Sequence, residues 1–134
     1  MTVVDSDVWS EALRKKKGSD ESWQVARLRE LILADEVQML GAIRQEALSG
    51  IRSPEKFGEI RGKLRAFPDG VLGEGIYEKA ATFYNLCRGR GIQGSHIDFL
   101  ICAFAVEKKM EILTKDRDFE RYAPYIPIEL VQEG

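Results

Sequence analysis

The chain has 134 residues, enough for one ordinary core and too few for two. Hydrophobic residues make up 44% and charged residues 31%, which excludes the apolar deficit of a disordered chain. Twenty Lys plus Arg against 22 Asp plus Glu leave a net charge of −2, so any nucleic-acid partner must be held locally rather than by the overall field.

Thr2, Val3 and Val4 predict a short buried strand, and Val8, Trp9, Ala12 and Leu13 fall at helical spacing over residues 7–17. Gly18-Ser19-Asp20 breaks that pattern. Trp23, Ala26, Leu28, Leu31, Ile32 and Leu33 mark a second helix ending near Ala34, and residues 37–40 suit a short strand. Residues 41–49 read as a helix stopped at Gly50. Ser53-Pro54-Glu55 opens another that runs to about Ala66, with Pro in the first turn where its missing N–H is not needed. A turn at residues 67–70 leads to Val71 and Leu72, expected as a third strand, and then to a helix over 75–88 carrying Ile76, Ala80, Phe83, Tyr84 and Leu86. After a Gly-rich loop at 89–94, Ser95 starts a helix that is apolar around its circumference and so belongs in the core. Residues 111–114 are expected as a strand, and residues 126–131, after Pro124 and Pro127, as a last one.

The start Met1-Thr2-Val3-Val4-Asp5 has no basic segment and its apolar run stops after two valines, so no secretory signal is expected. The longest apolar stretch, residues 99–106, is far short of the roughly 20 residues that span a bilayer. A single cytoplasmic domain over residues 1–134, without membrane contact, is the expectation. Cys87 and Cys102 lie in helical patterns without metal-ligand or redox spacing and read as buried structural thiols. His96 is the only histidine, so a metal site built by one chain must rest mainly on oxygen ligands.

Strands alternating with helices predict an α/β sandwich with a mostly parallel sheet, because parallel neighbours need helical crossovers. Ligands in such sheets bind beyond the carboxyl ends of the strands, and that rule selects four acids. Asp5 ends the first strand, Glu46 lies in the helix after the second, Asp98 starts the core helix and Asp116 follows the strand at 111–114. Carboxylates crowded together repel unless a cation neutralises them, and hard oxygen donors suit Mg²⁺ or Mn²⁺. Such a cation polarises a phosphodiester and activates water, so phosphodiester hydrolysis is the natural chemistry. Taken singly, each acid has a plainer reading. Asp5, Ser6 or Asp7 caps the first helix, and Glu46 is a solvated helix residue. Asp98 completes a capping box with Ser95, Asp116 sits in a polar turn, and Asp118 caps residues 119–122. Only the joint arrangement argues for a site.

Four blocks in order resemble the PIN-domain family, and within it the small VapC-type ribonuclease toxins of toxin–antitoxin pairs. Val3-Val4-Asp5-Ser6-Asp7-Val8-Trp9 is similar to the family's opening strand and helix, and Arg44-Gln45-Glu46-Ala47-Leu48-Ser49-Gly50 to its second acidic block. Residues 97–105, beginning Ile97-Asp98-Phe99, resemble the third block and Leu113-Thr114-Lys115-Asp116-Arg117-Asp118-Phe119 the fourth. The resemblance implies a three-layer α/β/α sandwich with a five-stranded parallel sheet in the order 3-2-1-4-5. It also implies a Mg²⁺- or Mn²⁺-dependent endoribonuclease whose metal-binding, catalytic acids are Asp5, Glu46, Asp98 and Asp116. Ser6 and Thr114 match small hydroxyl positions beside the first and fourth acids, and Asp118 assists through water. At Asp7 the chain departs from the family, where an uncharged residue is commoner, and the favoured reading there is a helix cap.

The resemblance further implies a homodimer and an antitoxin that wraps the first helices. Trp9, Leu13, Trp23 and Leu28 are candidates for that groove, although the same spacing suits core. For the RNA backbone the candidates are Arg14 to Lys17 and a second basic group of Arg52, Lys56, Arg61, Lys63 and Arg65, whose plainer reading is a solvated helical face. Two other readings compete: a catalytically inactive PIN-like binding scaffold, and a phosphate-accepting receiver domain. The receiver requires an acceptor aspartate at the end of a middle strand, where Val71-Leu72 is followed by Gly73-Glu74 instead.

Overall fold

The structure is a computed structural model and describes residues 1–14 and 20–134. Its centre is β1 (Thr2–Val4), a strand whose three residues are all buried because it has a parallel neighbour on each side. β2 (Val37–Gln38) pairs with it in the register Thr2 to Val37, and β3 (Glu111–Leu113) in the register Thr2 to Glu111 and Val4 to Leu113. The sheet order is β2-β1-β3, all parallel.

Among the described residues this corrects the expected five strands to three, flanked by two isolated parallel bridges. Met39 bridges Asp69 beyond β2, and Ile112 bridges Leu130 beyond β3, so the two outer positions are occupied by single bridges. Val71 and Leu72 are not a strand; Val71 is 83% exposed and has no face to bury. Gly70 instead lies flat on Phe104, where an added Cβ would stand 2.6 Å from the ring, and Pro68 offers no N–H to a ladder. At the other edge Pro124 and Pro127 remove donors, and only the contacts of Ile112 with Glu129 O and Val131 N, both 2.9 Å, survive.

Parallel strands require crossovers. α1 (Ser6–Arg14) and α2 (Trp23–Leu33) link β1 to β2, and α3 (Gly41–Leu48), α4 (Pro54–Leu64), α5 (Glu74–Arg88) and α6 (His96–Lys108) link β2 to β3. α1 is followed as far as Arg14; the expected continuation to residue 17, the break at Gly18-Ser19 and the cations at 15–17 lie outside the described residues. Three serines set helix starts: Ser22, Ser53 and Ser95 each accept an N–H from the residue three further on. α6 buries Phe99, Ile101, Cys102, Ala103, Phe104 and Ala105, as an all-apolar helix must, and α7 (Asp118–Tyr122) adds Phe119 and Tyr122 to the same core. Arg44 on α3 holds the chain after α4 in place, bonding Leu64 O at 3.1 Å, Phe67 O, and Asp69 Oδ1 at 2.9 Å. Cys87 and Cys102 are buried and unpaired, and burial pushes both thiols up, away from reactivity.

Among the described residues no helix is long and apolar enough to cross a membrane. Trp9 and Leu28, two of the four candidates for a partner groove, are 2% and 1% exposed and belong to the core. Leu13 and Trp23 are half-buried against it. On α4, Lys56 and Lys63 pair with Glu59, and Arg61 lies over the Phe57 ring.

Candidate active site

The carboxyl ends of β1 and β3 lie side by side, so the segments that leave the two strands meet. Asp5 N–H continues the ladder to Leu113 O at 2.9 Å, and Asp5 C=O then accepts from Val8 and Trp9 to start α1. Its side chain is 6% exposed and caught from two directions: Ser6 N–H donates to Oδ1 at 2.7 Å and Thr114 Oγ1 donates to Oδ2 at 2.8 Å. The Thr114 oxygen in turn accepts Asp116 N–H at 3.0 Å, and Asp116 Oδ1 accepts Asp118 N–H at 2.9 Å. One hydroxyl thus ties the acid after β1 to the loop after β3.

The helices supply the other acids. Ser6 Oγ donates to Glu46 Oε1 at 3.1 Å, joining α1 to α3. On α6 half of the expected capping box forms, with Ser95 Oγ accepting Asp98 N–H at 3.0 Å. The Asp98 carboxylate turns elsewhere, its Oδ2 accepting the Tyr122 hydroxyl at 2.7 Å. Gly94 makes room for that contact, because a Cβ there would stand 2.7 Å from Tyr122 Cζ and 2.8 Å from Phe99. Asp118 heads α7, with its carboxylate 3.6 Å from Arg121.

In place of the expected helix cap, Asp7 occupies the first turn of α1 and reaches across to the loop after β3, where its Oδ2 accepts Lys115 N–H at 3.1 Å. Its Oδ1 is buried with no hydrogen-bond partner among the described residues. The sequence carries no signal for this, since only the tertiary approach of Lys115 decides which way the side chain turns.

Proton affinities report the same crowding. Burial, then Asp7, pushes the Asp5 carboxyl up to about 7. Asp7 is raised by burial and by Asp116; Glu46 by burial and by Asp98 and Asp7; Asp98 by burial and by Asp116 and Asp118. Each acid therefore feels at least one other of the group. Tyr122 is raised by burial and by its bond to Asp98, so its hydroxyl keeps its proton and stays a donor.

A family description, PIN domain, matches residues 2–124. The chain belongs to the PIN-domain family. No curated protein sequence matches it. Its fold is similar to that in the crystal structure of FitAcB from Neisseria gonorrhoeae, at 20% identity and a TM-score of 0.75, over 98% of this chain and 97% of that one. It is also similar to VapBC2 from Rickettsia felis bound to a DNA fragment from their promoter, at 14% identity and a TM-score of 0.72, over 99% and 98% of the two chains. PIN membership leaves the receiver reading without support.

The donors of this PIN domain fit a hard divalent cation in kind: Asp5, Asp7, Glu46 and Asp98 are raised in proton affinity, Asp7 Oδ1 is buried without a partner among the described residues, Asp116 is tied to Asp5 through Thr114, and no soft ligand is among them. Among the described residues no three His, Cys, Asp or Glu side chains already form a closed metal cage. Drawing like-charged carboxylates closer needs positive charge between them.

Proposed function

We propose that this PIN domain is a Mg²⁺- or Mn²⁺-dependent endoribonuclease and the toxin of a toxin–antitoxin pair. The observation that carries the reading is buried Asp5, held by Ser6 N–H and by the Thr114 hydroxyl, with Thr114 also bonded to Asp116 and Ser6 also bonded to Glu46, so that acids distant in the chain are linked through shared partners. Asp5, Glu46, Asp98 and Asp116 are the catalytic, metal-holding acids. A divalent cation bound there supplies charge to polarise a phosphodiester and to acidify the attacking water. Thr114 and Ser6 aim the carboxylates of Asp5 and Glu46, Tyr122 aims Asp98, and Asp118 fixes Asp116 through its backbone N–H.

The VapC-like motifs and the similarity to VapBC2 support a toxin role, with an antitoxin as protein partner, a homodimer, and a cytoplasmic setting where RNA is the substrate. Purified protein is expected to cut RNA with Mg²⁺ or Mn²⁺ and to stop in EDTA. Mapping RNA ends after induced expression in cells is expected to show new 5′ ends at defined sites. RNA left intact with both metals, and no new ends in cells, overturns the proposal in favour of an inactive PIN scaffold.

Asp7 belongs to the same constellation. Its unpartnered Oδ1 has lost water without gaining a donor, an arrangement that costs about 1–3 kcal/mol unless positive charge compensates it. Asp7→Asn is expected to weaken Mn²⁺ binding about tenfold, read by titration calorimetry, and to lower cleavage by about 10- to 100-fold. Unchanged Mn²⁺ affinity in the folded variant returns Asp7 to a purely structural role.

A further inference from the structure

Beside Asp116 the surface opens into a cavity of about 270 Å³ that shares Thr114 and Asp116 with the acidic site. Trp23 and Gln24, the first two residues of α2, line it together with Lys115 and Arg117 from the loop after β3. The geometry points to a seat for one nucleobase of the RNA, next to the phosphodiester held at the acids. This inference deepens the nuclease reading and rests on it.

The lining has what a nucleotide needs. A tryptophan offers a flat π face, on which any base can stack, and Gln24 carries both a donor and an acceptor for a base edge. Arg117 is 89% exposed in its side chain and, among the described residues, pairs with Glu120 at 3.5 Å on the surface, so its guanidinium can turn toward a flanking phosphate.

The wall is also built in advance. Ser22, the cap of α2, donates from its N and its Oγ to Glu11 at 2.9 and 2.8 Å, and Lys115 Nζ meets the same carboxylate at 2.6 Å. Lys115 holds the Glu11 carboxyl down at about 2, so this link is ionised at any working pH. The start of α2, and Trp23 with it, is therefore fastened to the loop that carries Asp116. A chamber of this volume, lined by Trp23 and Gln24, with the Arg117–Glu120 pair at its side and Asp116 shared with the acidic site, suits one flat group of a phosphate-bearing chain better than a length of folded peptide.

The test uses the full chain and uncleavable probes: AMP, GMP, CMP and UMP, with ribose 5-phosphate as the base-free control, all in Mn²⁺. In a Trp9→Phe background Trp23 becomes the only indole; Trp9 Nε1 is buried without a partner among the described residues, so that exchange removes no hydrogen bond seen there. Saturable quenching of Trp23 is expected, at least about tenfold tighter for one or more nucleotides than for ribose 5-phosphate. With a short oligoribonucleotide, Trp23→Leu is expected to raise KM about tenfold with kcat within about twofold, and Trp23→Phe to recover most of the loss. Gln24→Ala, which leaves the stacking wall intact, is expected to change which nucleotide binds best, and it serves if Trp23→Leu does not fold.

Equal binding of ribose 5-phosphate, or an unchanged KM in Trp23→Leu, overturns the inference while leaving the nuclease reading intact. Trp23 emission that no nucleotide alters also overturns it and leaves a partner peptide as the occupant to seek. Nucleotide binding at Trp23 in a protein that cuts no RNA would uphold the pocket and bring down the nuclease.

Discussion

Asp5→Asn is expected to abolish RNA cleavage while making the metal-free protein more stable. The two effects have one cause. Asp5 is held by Ser6 N–H and the Thr114 hydroxyl in a position 6% exposed, and asparagine has the same shape there without the charge. The site thus keeps its frame and, on the proposed function, loses an anion that would neutralise the cation, for which a fall of about a thousandfold or more is expected. Stability moves the other way. Keeping a buried carboxylate ionised at pH 8, against a proton affinity of about 7 and an ordinary value of 3.8, costs up to roughly 4 kcal/mol, an upper bound reduced by any rearranged Thr114 bond. Cleavage assays and calorimetric melts in EDTA on the same preparation measure both. Cleavage within tenfold of the parent, in a protein that melts normally, would remove Asp5 from the site.

Metal-free protein is also expected to lose stability as pH rises between about 4 and 7. In that window folded Asp5 still holds a proton that the unfolded chain has released, so the folded state binds more protons and its stability falls with rising pH. Asp7, Glu46 and Asp98 are shifted in the same direction and steepen the slope. Glu11 acts oppositely and lower down: its proton affinity is depressed to about 2, so its contribution is present above the ordinary 4.5 and lost as pH falls toward 2. The metal-free optimum should therefore lie near pH 4, well below that of most proteins. Millimolar Mg²⁺ or Mn²⁺ should restore the loss at pH 8 and do little at pH 5, because the cation must displace protons from the acids it binds. A metal-free stability that is flat or rising from pH 4 to 7, read from urea midpoints in EDTA, would contradict the crowding of these carboxylates.

Much of the frame was legible because its signals are local. The Val-rich start, the unbroken apolar run of α6 and the serine caps at 22, 53 and 95 each specify an element without help from the rest of the chain. The rule that sites gather at strand carboxyl ends then selects Asp5, Glu46, Asp98 and Asp116 as candidates. The features that escaped depend on neighbours distant in sequence. Two apolar residues at 71–72 resemble a strand until Gly70 is found pressed on Phe104, and residues 126–131 until Pro127 within them and Pro124 before them leave a single bridge to Ile112. Helical spacing also could not separate Trp9, which faces the core, from Trp23, which faces the cleft. Asp7 passes for a cap as long as the approach of Lys115 is unknown.

The absent side chain at residue 94 has a bearing on how such a protein drifts. Tyr122 reaches its acid only because nothing but hydrogen stands in its way, so a single methyl group in a loop without reactive atoms would misdirect a carboxylate on the neighbouring helix. Catalytic silence can thus arise at a residue with no chemistry of its own, and an intact set of acids does not by itself certify a working enzyme.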